Sequence, residues 1–189
     1  MKIKIIIAAI ILSQPLIAQI PTSFGFTLSK ASGDDISLVK SKTYFIKEIL
    51  NSPKEVIQFE FDRIASSTSG DLTSFIYKCT GKNKEGLILA FYGDYWNDAG
   101  DIYKGYIFKD LPKEKAIEFL SKVAKTVEEQ RDFLSKTSNS NVHIEYDDMT
   151  IVISKNMETK IQILWSGFDP DWENWAFTRT KRRIENDLN

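Results

Sequence analysis

Two stretches of this chain carry side chains whose types and spacing can do chemistry. The first places Asp94, Asn97, Asp98 and Asp101 beside Tyr95 and Trp96. Carboxylate and amide oxygens are hard donors of the kind that hold Ca²⁺. Aromatic faces beside them can stack on a sugar or dock a partner. The spacing departs from the D-x-D-x-D-G calcium loop with its distal Glu, so no metal is assigned. The same residues also suit a turn whose Asx side chains bond their own backbone while the aromatics fold back onto a sheet. Paired-carboxylate glycoside hydrolysis is open by residue type to Asp94, Asp98, Glu145, Asp147 and Asp148. It depends on carboxylate separations that a sequence does not contain.

The second stretch is C-terminal. Three of the four Trp (Trp165, Trp172, Trp175) and three of the five Arg (Arg179, Arg182, Arg183) fall within residues 165–183. Trp and Arg are the side chains most enriched at binding hot spots. On a helix Trp172, Trp175, Ala176, Arg179 and Arg183 share a face, and Trp175 and Arg179 have the spacing of a cation–π pair. The alternative is that the tryptophans pin the helix to a sheet while the arginines pair with Glu173 and Glu185. The run Lys181-Arg182-Arg183 resembles a nucleic-acid patch only locally, and Glu185 and Asp187 follow it. No nucleic-acid partner is expected.

Other chemistry finds little support. His143 is the sole His and would have to serve any Ser-His-Asp arrangement, but no G-x-S-x-G elbow accompanies it. Alternation with Val142, Ile144 and Tyr146 puts it on the solvent side of a strand. Cys79 is the sole Cys and reads as a small buried hydrophobe. Gly81 and Gly86 have the separation of a phosphate loop, but Leu87 and Ile88 stand where Lys and Ser/Thr are required. No dinucleotide fingerprint is present, so no cofactor is expected.

The remaining composition bounds the class. The chain has 189 residues, 42% hydrophobic and 27% charged, with 25 Lys+Arg against 26 Asp+Glu. One His and one Cys exclude a zinc ribbon, an H-E-x-x-H protease, a CxxC redox pair and a disulfide framework. Residues 1–18 read as a secretory signal peptide. Lys2 and Lys4 precede an apolar run over residues 5–12, Pro15 breaks it, and cleavage is expected after Ala18. The run is shorter than a bilayer span, so no membrane span is expected after its removal. Without Lys2 and Lys4, 23 basic residues remain against 26 acidic, a net of −3. That weak charge gives no general drive toward nucleic acid or anionic membranes.

The elements that must position these residues follow from periodicity. Residues 19–189 read as a single α+β domain. An edge strand is expected over residues 24–28. A helix capped at Asp34 or Asp35 carries Leu38, Phe45, Ile49 and Leu50 and stops at Asn51-Ser52-Pro53. Strands are expected over residues 57–61, 72–80, 87–92 and 102–108, with a loop over 93–101. The run 87–92 is continuously apolar and reads as a central strand covered on both faces. A long amphipathic helix is expected over residues 112–136. Strands over 142–146, 150–154 and 160–165 follow. Asp169-Pro170 opens a C-terminal helix.

The predicted fold is therefore α+β: an antiparallel sheet of about seven strands, one long central helix, and a C-terminal helix packed on it. The element order also hints at two halves, each a helix followed by an antiparallel meander. The expected function is that of an exported binding or accessory protein without catalysis, in the cell envelope or secreted space. It recognises a protein partner or a small ligand such as a glycan. The candidate ligand site is Asp94, Tyr95, Trp96, Asn97, Asp98 and Asp101. The candidate partner surface is Trp172, Trp175, Arg179 and Arg183. Alternatives are a small carboxylate-dependent hydrolase of glycans and an exported immunity-type inhibitor.

Overall fold

The computed structural model describes residues 30–52, 54–96 and 99–188, and of residues 30–35, 95, 96 and 103 the backbone alone. The signal segment and the strand expected over residues 24–28 lie outside the described residues, as do Asn97 and Asp98. Helix α1 (Lys30–Tyr44) runs into a π-helical turn, Phe45–Leu50. Strands β1 (Glu60–Ser66), β2 (Leu72–Cys79), β3 (Lys84–Trp96) and β4 (Ile102–Pro112) follow. Helices α2 (Lys113–Glu129) and α3 (Arg131–Leu134) precede β5 (Asn141–Tyr146), β6 (Met149–Lys155), β7 (Thr159–Leu164) and β8 (Asp171–Glu173). Helix α4 (Asn174–Leu188) closes the described chain. Among the described residues no helix is long and apolar enough to cross a membrane.

The strands form two antiparallel four-stranded meanders, ordered β1-β2-β3-β4 and β5-β6-β7-β8. This corrects the expectation of one sheet of about seven strands. Alternation reveals which residues face inward but not which strands are neighbours, and three-residue β8 is too short to show a period. The expected long helix is divided at Gln130, whose φ of −99° and ψ of 10° leave the α region. Asp34 and Asp35 lie inside α1 rather than at its cap. Pro170 precedes β8 instead of opening a helix, and its carbonyl accepts the Ile163 N–H at 3.1 Å.

Strand β3 organises the packing. Leu87, Leu89 and Phe91 enter one core with α2, α4 and the inner face of the second sheet. Ile88 and Ala90 enter another, beneath Phe45, Ile49 and Leu50 of the π-helical turn. The strand is covered on both faces, as its unbroken apolar run predicts. Cys79 lies buried in the second core, as expected of a small hydrophobe. Gly86 is needed at its place. A Cβ there would stand 2.5 Å from the Leu111 carbonyl oxygen and 2.6 Å from Tyr77 Oη. Tyr77, its cross-strand partner, passes over it to donate a 2.8 Å hydrogen bond to Asp110 on β4.

The second sheet joins the first through its core and a polar latch. Ile151, Ile153, Ile161 and Ile163 are fully buried against the first core. At the rim, Lys109 on β4 pairs with Asp147 at 3.1 Å and with Asp148, both in the β5–β6 turn. Its ammonium also lies 5.6 Å from the Trp165 ring centroid. Trp165 Nε1 donates to Asp148 at 2.9 Å. Hydrogen bonds from Lys109, then from Lys115, hold the Asp147 carboxyl below its ordinary value of 3.8. Those from Lys109, then from Trp165, do the same for Asp148.

Depressed folded-state values stabilise the fold above the ordinary carboxylate pKa, and that stabilisation is lost as pH falls through the lowered values. Acid titration followed by tryptophan emission should therefore show a transition below pH 3.8. Lys109→Met should move its midpoint up toward the ordinary carboxylate value. An unchanged midpoint would count against the latch.

Candidate functional site

Helix α4 is two-sided because its apolar and polar residues follow the 3.6-residue period. Ala176, Phe177, Thr180, Ile184 and Leu188 are buried. Thr180 fits this apolar side because its hydroxyl donates to the Ala176 carbonyl at 2.8 Å and meets Ser74 at 2.7 Å. The opposite face carries Trp175, Arg179, Arg182 and Arg183, all exposed. Trp175 is 48% exposed, whereas Trp172 is 1% exposed.

That difference corrects the expected partner surface. Trp172 belongs to β8, not to the helix, and pairs in register with inward-facing Ile161. Its ring stacks on Phe119 at 6.3 Å and meets Phe177 edge-on at 5.3 Å. Trp172 is core, and Ala176 is buried with it. Trp175, Arg179 and Arg183 share an exposed face as expected, although no cation–π contact joins Trp175 to Arg179 among the described residues.

The arginine face borders a groove of about 460 Å³ between α4 and β1. Its walls include Arg63, Arg179, Arg182 and Arg183, with Asp62 and Asp187 as counter-charges. Four of the chain's five arginines thus line one groove. Arg183 Nε binds Asp187 at 2.6 Å, and its NH2 approaches Asp62 at 3.6 Å. Among the described residues no ion pair reaches Arg179 or Arg182. The pairing anticipated with Glu173 and Glu185 does not form. Glu173 accepts the Thr68 N–H at 2.8 Å, and Glu185 pairs with Lys181. Arg63 escaped the sequence reading because only the tertiary fold brings β1 beside α4.

The described acidic candidates do not gather at one place. Asp94 stands opposite Lys104 across the β3–β4 pair. It borders a cleft of about 420 Å³ that Asp71, Tyr92, Gln162, Asp169 and Asp171 also line. Gly93 and the Phe168 ring, in the turn before β8, also border this cleft. Asp101 does not line this cleft. Tyr95 and Trp96 were expected in a loop, but they extend β3 opposite Tyr103 and Ile102.

Glu145 lies on the outer face of the second sheet. It meets His143 Nε2 at 3.0 Å and accepts from Thr150 Oγ1 at 3.0 Å. The carboxylate stands between the other two, so His143 does not bear on the Thr150 hydroxyl as a triad base would. Asp147 and Asp148 are engaged in the latch. Among the described residues no group of three or more His, Cys, Asp or Glu side chains is placed to hold a metal ion.

The contrasting burial of two nearby tryptophans is measurable. Trp172→Ala should cost about 3–5 kcal/mol in chemical denaturation, and Trp175→Ala less than about 0.5 kcal/mol. Equal losses would contradict the placement of Trp175 on the surface. Comparison of the chain with protein-family models, with curated proteins and with solved structures finds no match.

Proposed function

We propose that this protein is an exported binding protein without catalysis, and that it recognises an acidic partner through the outer face of α4. The observation that carries this reading is the gathering of four arginines in one groove. Like charges brought together repel, and the fold offsets that cost at Arg183 with Asp187 and Asp62. Arg179 and Arg182 meet no carboxylate among the described residues, so this face carries uncompensated positive charge on a chain whose formal net charge is −1. Arginine presents a planar fork of donors that suits oxyanions better than the point charge of lysine. Trp175, on the same face, adds an apolar anchor beside the charges.

The leader supports export. Protein recovered from outside the cytoplasm should begin at Gln19 by intact mass, and a retained leader would argue against processing there. Partner recognition is tested with the immobilised chain and an envelope extract. The native chain should retain a partner at low salt and release it as ionic strength rises. Arg179→Glu with Arg182→Glu should abolish retention while the circular dichroism spectrum stays unchanged. Retention that survives both charge reversals would refute the α4 reading.

A further inference from the structure

We infer that the groove between α4 and β1 takes a polysaccharide carrying phosphate or sulfate esters, an inference that rests on the α4 reading above. The argument starts from donor number. Arg179 and Arg182 lie three residues apart, on neighbouring turns of one helix face. Each guanidinium carries five N–H donors, and neither is engaged by a carboxylate among the described residues. A single side-chain carboxylate has two oxygens and one charge, enough for one fork. A tetrahedral ester has three free oxygens and can lie between two guanidiniums at once.

The groove also has room for more than one such group. Its volume of about 460 Å³ extends past Arg179 and Arg182 to Arg63 on β1. Asp187 and Asp62 hold Arg183 at one wall. An ester seated at Arg179 and Arg182 therefore leaves room in the groove for the next sugar of its chain. Trp175 lies one helical turn from Arg179, about 6 Å along the axis, and its exposed ring offers a face on which a sugar can stack. A protein partner fits less well. Protein interfaces bury an apolar centre within a polar rim, and along this stripe Trp175 is the one large apolar side chain exposed among the described residues.

The test uses dextran sulfate, uncharged dextran of equal length, inorganic polyphosphate and single-stranded DNA, titrated against the full chain at several salt concentrations. Dextran sulfate should bind and dextran should not. Replacing both Arg179 and Arg182 with Gln should lower affinity about tenfold or more. It should also reduce the slope of log affinity against log salt by roughly two. Lys40→Gln on α1 with Lys47→Gln on the π-helical turn, across the first sheet, should change neither quantity. Trp175→Ala should weaken dextran sulfate several-fold and leave polyphosphate unaffected.

No dextran sulfate binding at low salt would overturn the inference, as would binding indifferent to the arginine changes. Polyphosphate or DNA binding as tight as dextran sulfate, with no effect of Trp175→Ala, would overturn the glycan assignment. Failure here with arginine-dependent retention from the envelope extract would leave the α4 surface standing with another occupant. Retention that ignores the arginines would remove the surface itself.

Discussion

Five consecutive apolar side chains, Leu87 to Phe91, point alternately to opposite faces of the first sheet, and all five are within 1% of complete burial. Neither face of β3 can be left in water. Burying a large aliphatic or aromatic side chain stabilises by about 1.5–3 kcal/mol, so a bare face would forfeit several such contributions. The π-helical turn covers Ile88 and Ala90. Helices α2 and α4 and the second sheet cover Leu87, Leu89 and Phe91. The three-layer arrangement is the consequence of that one strand.

The position of α4 follows from the same requirement. Once its apolar stripe closes the first core, the opposite face carries Trp175, Arg179, Arg182 and Arg183 exposed. Trp172 and Trp175 show how sharp this division is. They are three residues apart, yet one is core and the other is surface, because the chain changes from strand to helix at Asn174. A period of two directs Trp172 inward with Ile161, and the first turn of the helix directs Trp175 outward. The arginines then continue the outward face, and β1 supplies Arg63 from across the groove.

The acids that looked available for chemistry acquire separate roles. Asp147 and Asp148 hold the two sheets together through Lys109. Glu145 orders His143 and Thr150 on an outer face. Asp94 borders a cleft, and its companions there, Asp71, Asp169 and Asp171, come from distant parts of the chain. Proximity along the chain was a poor guide to proximity in space. Asp94 and Asp101 are near in sequence, but the lengthened β3–β4 hairpin carries them apart, and only one reaches the cleft.

Local pattern was enough to determine the α+β class, the doubly covered β3, the amphipathic α2, the buried Cys79 and the outward His143. Each depends on side-chain period within a single element, which a sequence displays directly. The two-sheet division, the short β8, the burial of Trp172 and the recruitment of Arg63 were decided by tertiary structure. Each depends on which elements become neighbours, and that is set by covering apolar faces across the whole molecule. The arginine groove joins both kinds of information. Residue type and helical spacing mark Arg179, Arg182 and Arg183, and the docking of α4 beside β1 turns them into a groove.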